Sequence, residues 1–153
     1  MKLLFDEMLG NTASWVRILG IDSAYVRDMD DDSVIRLAKR QNRILITRDK
    51  LLAEKGQSKG VRTILLKTTD ITEQLCTLRN TLNLKFGFPD RTRCPGCNMP
   101  LKITGKDNVK EIIPRNVLAR HRKFWFCKKC NKAYWEGSHW KNILRMFRKI
   151  SSC

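Results

Sequence analysis

Ile44-Leu45-Ile46-Thr47-Arg48-Asp49 is the stretch from which the fold of this chain is read. Three successive apolar residues without alternation describe a strand covered on both faces, the condition of a parallel sheet packed between helices. The run closes on Thr47, Arg48 and Asp49, so a carboxylate stands just past the strand's carboxyl end. Outward from it the same grammar repeats. Lys2 to Phe5 is a short apolar run that stops at Asp6, Ala24 to Val26 is a further candidate strand, and Val61 to Leu66 another. Between them Met8, Thr12, Trp15, Val16 and Leu19 recur at helical spacing before Gly20, a natural C-cap. Val34, Ile35 and Ala38 follow the acidic stretch Asp28 to Asp32, and Ile71, Leu75, Leu78 and Leu82 mark another helix. Strands alternating with helices predict an α/β fold with a mostly parallel central sheet and right-handed crossovers.

The periodicity fails over Lys85-Phe-Gly-Phe-Pro-Asp-Arg-Thr-Arg93, which carries Gly and Pro. A module boundary is expected there, dividing residues 1–88 from a smaller module at 94–153. The second module contains Cys94-x-x-Cys97 and Cys127-x-x-Cys130, with 29 residues between the pairs. Two residues between thiolates let one turn offer both sulfurs to one ion, and two such turns complete a closed tetrahedron. Cys94, Cys97, Cys127 and Cys130 are therefore expected to hold structural zinc with no position left for water; two disulfides or a redox pair are the alternatives. Pro95-Gly96 allows a tight reversal in the first turn, and Lys128-Lys129 surrounds the second with charge that favours thiolate. Phe124 to Phe126 and Ala133 to Trp135 flank the second pair as a ribbon hairpin. Trp140, Ile143, Leu144, Phe147 and Ile150 then form the stripe of a terminal amphipathic helix, with Ser138 a candidate cap. Cys76 reads as a small packed residue; Cys153 is left over.

Charge divides the same two modules. Residues 1–90 hold 15 Lys and Arg against 12 Asp and Glu, whereas residues 91–153 hold 16 against 3. So cationic a module predicts a polyanionic partner, RNA foremost, because each neutralised phosphate releases counterions. The expected contacts are Arg120, Arg122 and Lys123 around His121, Lys128 and Lys129 in the knuckle, and Lys141, Arg145 and Arg148 on the last helix. Trp125, Tyr134, Trp135 and Trp140 are either stacking platforms for unpaired bases or the packing of a small ribbon. No apolar run is long enough for a membrane span, and Asp6 interrupts any signal-like core, so a reducing, cytoplasmic setting is expected.

Ligands in open parallel sheets bind beyond the carboxyl ends of the strands. Asp6 and Asp49 occupy two such ends and Asp31 starts a nearby helix. Three converging carboxylates need a cation, and hard oxygens without His or Cys select magnesium or manganese, the ions of nucleases that cut by in-line displacement. The plainer readings are a helix cap for Asp31 and a solvated loop for Asp28, Asp30 and Asp32. Glu7 is an outer candidate. Thr47 and Arg48 are either phosphate contacts at the strand end or an ordinary strand-ending Thr and exposed Arg, and Arg17 reaches substrate, pairs with Asp22 or is a solvated helix side chain.

Together, Asp6-x-Met8-Leu-Gly10, Ala13-x-Trp15-x-Arg17-x-Leu19-Gly-x-Asp22, Asp31 to Ala38, Ile46-Thr-Arg-Asp49, Arg93-Cys-Pro-x-Cys97-Asn98 and Tyr134-Trp-x-Gly-Ser-His-Trp140 resemble the PIN-like ribonuclease family named for the C-terminal domain of the Mut-seven exonuclease. The resemblance spans nearly the whole chain. It implies a metal-dependent ribonuclease of PIN type with Asp6, Asp31 and Asp49 as its acidic site. The chain departs from the family pattern at Asn11, Thr12 and Ser14, where a basic residue, an apolar residue and an arginine are usual, leaving fewer cations beside Asp6. The expectation is an endoribonuclease with a zinc ribbon that grips RNA. Its rival is a non-catalytic RNA-binding or ribosome-associated factor. A PIN domain joined to a zinc ribbon is also similar in parts to the endonuclease that trims small-subunit ribosomal RNA, which suggests an rRNA or ribosomal partner.

Overall fold

The computed structural model covers residues 1–153. Strands β1 (Lys2–Phe5), β2 (Asp22–Tyr25), β3 (Ile44–Thr47) and β4 (Thr63–Leu65) form one sheet in the order β2-β1-β3-β4, and every pairing is parallel. Helices α1 (Gly10–Ile18), α2 (Asp31–Arg40), α3 (Lys50–Ser58) and α4 (Ile71–Leu82) connect or follow these strands. Side chains alternate across the sheet. Leu3, Phe5 and Ile46 pack with Leu9, Val16, Leu75 and Leu78 on one face, while Leu4 and Leu45 meet Val34, Ile35 and Leu52 on the other.

The register positions the chemistry. Phe5 pairs with Ile46, so the next residues along, Asp6 and Thr47, stand side by side at the carboxyl rim. Both fall on the α2 and α3 face by the period of two. Helix α3 has no counterpart in the sequence reading, because only Leu52 and Ala53 are buried apolar side chains and Gly56 interrupts it. That glycine permits its close approach to the sheet: a Cβ there would lie 2.8 Å from Thr63 Oγ1.

Beyond the α/β layer, β5 (Lys102–Thr104), β6 (Phe124–Cys127) and β7 (Lys132–Tyr134) make an antiparallel sheet in the order β5-β6-β7. A short helix, α5 (Arg115–Arg120), lies in the loop before β6, and Val109, Ile113 and Phe124 form a separate small core. The final helix, α6 (Ser138–Ser151), does not stay with this ribbon. Ile150 is fully buried in the main core, and Met146 and Phe147 pack against it. The division at 88 and 94 therefore describes chain order and not packing: the chain leaves the α/β layer, builds the ribbon and returns with α6. Cys76 on α4 packs against the main core, as its sequence reading has it, and also forms a disulfide with Cys153 after α6, across a Cα separation of 5.8 Å. Gly137 occupies the cap position of α6 in place of Ser138, with no side-chain bond. No helix is long and apolar enough to cross a membrane.

The two sheets are joined at the edge strand β2. Asp22 accepts from Arg43 Nη1 at 2.7 Å and from Asn98 Nδ2 at 2.9 Å. Burial opposes ionisation of Asp22, but these donors outweigh it and hold its carboxyl below the usual range. A depressed folded pKa contributes stability above the unfolded value and loses it as pH falls through the folded one. Asp22→Asn is accordingly expected to flatten the acid limb of the stability curve below about pH 4. Urea denaturation across that range checks this, and an unchanged acid limb would contradict it.

Candidate functional site

Asp6, Asp31 and Asp49 line a single cleft of about 80 Å³ together with Glu7, Arg27 and Asp28. Each reaches it by a different route. Asp6 ends β1 and is only 6 % exposed. Its Oδ2 accepts a short hydrogen bond from the Thr47 hydroxyl, whose oxygen in turn accepts the Asp49 N–H at 2.9 Å. Its Oδ1 is buried with no partner at all. Burial pushes the Asp6 carboxyl above the ordinary carboxylate range, against the Thr47 hydrogen bond and the pull of the nearby Met8 backbone N–H, and the nearby Asp49 and Glu7 charges push it further.

Asp49 is the N-cap of α3, where Oδ1 accepts the N–H groups of Leu51 and Leu52 at 2.8 and 3.1 Å. One carboxylate oxygen remains for a ligand. Asp31 opens α2 without capping it, because Asp30 does that by accepting the Ser33 N–H at 2.9 Å. The Asp31 carboxylate makes no hydrogen bond or ion pair. The acidic run thus divides its labour: Asp30 caps, Asp31 faces the cleft, and Asp32 pairs with Lys55 and Lys59, which hold it down at about 2. Asp28 takes a left-handed φ of 56° at the cleft's edge. Thr47, expected to meet phosphate, is instead spent on orienting Asp6. Arg48 is half-buried with its Nε unpartnered.

In the ribbon, Cys94, Cys97, Cys127 and Cys130 bring their sulfurs within 4.8 Å of one another. Cys97 and Cys127 are 3.4 Å apart and Cys94 and Cys130 3.9 Å apart. A tetrahedron of sulfurs about 2.3 Å from zinc has edges of about 3.8 Å, so the set fits that ion. The electrostatics agree. Burial opposes it, but the Tyr134 hydroxyl at 3.4 Å and the N–H groups of Cys97 and Gly96 hold the Cys94 thiol down at about 7. Its neighbours Cys97, Cys127 and Cys94, with some burial, push Cys130 up to about 12. Four such sulfurs ionise together only around a cation. Each knuckle ends in a left-handed asparagine, Asn98 at φ 67° and Asn131 at 49°, a signal the sequence carried unread.

Arg17 was expected to contact RNA or to pair with Asp22, and neither describes it. It is 7 % exposed, and its Nε donates to the Ser23 carbonyl at 2.8 Å. Its Nη1 donates to the carbonyls of Pro95 and Gly96 at 2.7 and 3.2 Å, clasping the first knuckle to α1. Asn98 accepts the Ser23 N–H at 3.0 Å and so satisfies the edge of β2. Arg17→Met is expected to leave these carbonyls unpaired and cost about 3 kcal/mol. Chemical denaturation measures that loss, and a change below about 0.5 kcal/mol, the scale of an ordinary surface substitution, would refute the clasp.

The other expected contacts, Arg120, Arg122, Lys123, Lys128, Lys129, Lys141, Arg145 and Arg148, all lie exposed. Trp125 is buried and donates to the Pro89 carbonyl at 2.9 Å, so it packs the joint and is no open platform.

Compared with known families, the model of the Mut7-C RNAse domain matches residues 1–147. No curated protein and no solved structure matches the chain.

Proposed function

This chain belongs to the Mut7-C RNAse domain family, and we propose that it is a divalent-metal-dependent endoribonuclease whose acidic cleft cuts RNA held by the cationic ribbon. The observation that carries the reading is the orphaned Oδ1 of Asp6, a buried carboxylate oxygen with no donor in a cleft shared with Asp31 and Asp49. A buried charge left unpaired is costly, and hard oxygens of this kind are satisfied by magnesium or manganese. Asp6, Asp31 and Asp49 are the ligands proposed. Bound there, such an ion supplies charge neutralisation to a phosphodiester and acidity to a water. The protein's own part is orientation: Thr47 holds one oxygen of Asp6, the α3 N–H groups hold one oxygen of Asp49, and Asp31 is left uncommitted. Arg27 at the cleft and Arg48 behind it are the cations proposed to meet phosphate, with Arg120 to Lys129 and the exposed face of α6 extending the path.

The rival reading, a non-catalytic RNA-binding factor, drew on Asn11, Thr12 and Ser14. Thr12 is buried and bonds Gln74 on α4, and Ser14 reaches the Pro95 carbonyl at 3.4 Å. Those two positions serve packing and the joint, which accounts for two of the three departures, while Asn11 is exposed at the start of α1. Ribosomal RNA is the substrate class we favour and the cytoplasm the setting. There the zinc thiolates stay reduced.

The test is incubation of labelled single-stranded and structured RNA with the protein in manganese, in magnesium and in chelator, beside an Asp49→Asn variant. Cleavage is expected with either metal, none with chelator, and little with the variant. Cleavage that survives both chelator and Asp49→Asn would refute the assignment. Salt-sensitive binding with no cleavage in any metal would favour the scaffold.

A further inference from the structure

A second cavity, of about 270 Å³, lies where the ribbon, α6 and the end of α1 meet. Its position separates it from the acidic cleft. Ile18, at the far end of α1, lines it, and nine helical residues rise about 13 Å from the rim where that helix begins. The walls are almost wholly apolar. Phe88 and Trp125 both pack on Trp140, at centroid separations of 5.0 and 4.5 Å, and Leu101 and Ile143 close the sides.

The surroundings carry the opposite character. Arg93 lines the cavity and gives one N–H to the Asn98 carbonyl, leaving further guanidinium donors unused. The Lys123 ammonium sits 5.0 Å from the centroid of Trp125. The one acid beside it, Asp90, is 4.0 Å from that ammonium, with its side chain 78 % exposed. An acyl chain or an apolar peptide would fill the walls and leave these cations without partners. A nucleotide satisfies both, with its flat base in the apolar cavity and its phosphate outside.

We propose that this cavity receives an unpaired nucleobase of a bound RNA strand whose phosphates lie along Arg93 and Lys123. The volume is at the small end of ligand pockets, about 300 Å³ and upward, as suits one planar heterocycle and not a helix or a folded segment. Duplex bases are stacked and out of reach, so the ligand is single-stranded. The inference rests on RNA as the partner, and on neither the metal nor cleavage.

The experiment titrates the full-length protein with fluorescent oligouridylate and with its abasic ribose-phosphate counterpart of equal length and charge, in chelator to suppress cutting, while intrinsic tryptophan emission is followed. The base pocket predicts about tenfold weaker binding of the abasic strand, the scale of one base–aromatic stack, and quenching by oligouridylate alone. Leu101→Trp, which fills the cavity from its wall, should remove the difference between the two strands at unchanged melting temperature. Equal affinity for both strands on the wild-type protein overturns the pocket and leaves the RNA reading standing. Failure to bind either strand overturns both.

Discussion

Asp6→Asn is expected to lower RNA cleavage by about a hundred- to a thousandfold, several kcal/mol of lost charge stabilisation, while leaving the metal-free protein as stable as the parent or more so. The two effects have one cause. Asp6 is 6 % exposed, its Oδ1 has no partner, and its carboxyl is pushed above the normal range chiefly by burial. A raised folded pKa means that folding favours the protonated acid. The stability it contributes is present below the unfolded pKa of about 3.9 and is lost as pH rises through the folded value. At neutral pH the ionised group is a liability unless a cation sits beside it. Asparagine removes the charge and can still accept the Thr47 hydroxyl. Thermal melts in chelator and in manganese separate the cases: manganese should raise the melting temperature of the parent and not of the variant. A variant that cuts normally, or that melts well below the parent in chelator, would show that Asp6 is a structural acid and that the cleft is not the catalytic centre.

Cys127→Ser is expected to destabilise the whole molecule, lowering the melting temperature by about 10 °C or more in a single transition. Structural zinc contributes roughly 10 kcal/mol or more in small domains at neutral pH, and for a chain of this size each kcal/mol moves the midpoint by about 2–4 °C. A ribbon on a flexible tether would melt alone and leave the α/β layer untouched. Here the first knuckle is part of that layer's wall. Arg17 reaches the Pro95 and Gly96 carbonyls, Asn98 completes the edge of β2, and Thr92 donates to the Ile18 carbonyl at 2.6 Å. Gly20, at φ +94°, lies so close to the Arg91 carbonyl that a Cβ would stand 2.4 Å from it, so the joint has no slack. Helix α6 follows the ribbon in sequence and carries Ile150 back into the main core. Calorimetry with and without chelator reads the result. Two separate transitions, with the larger one unmoved by the substitution, would sink this account of the joint.

The sheet and the four-cysteine cluster were legible because their signals are local. Four short apolar runs ending near Asp6, Tyr25, Thr47 and Leu66 require only that successive side chains alternate across a sheet. Two Cys-x-x-Cys turns need only the geometry of thiolates around one ion. Helix α3 escaped because its short amphipathic face carries Gly56 and its Leu51 is 73 % exposed. Strand β5 and helix α5 escaped because three- and six-residue elements have no period to detect.

The acids at the rim were readable as candidates, since strand ends can be located from the runs themselves. Their division of roles was not. Which aspartate caps α2 depends on one residue of helix phase, and Thr47 meets Asp6 only through the register that pairs Phe5 with Ile46. Arg17 carries the plainest lesson. In a helix its charge and spacing are those of any solvated arginine, and only when residues 93 to 98 fold over α1 do three carbonyls converge on it and turn a presumed RNA contact into a clasp. Local pattern thus sufficed for the parallel strands, the longer helices and each Cys-x-x-Cys turn, whose physics acts between near neighbours in the chain. The return of α6, the Cys76–Cys153 bridge and the docking of the knuckle on β2 join residues more than seventy positions apart, and no short-range propensity encodes such a choice.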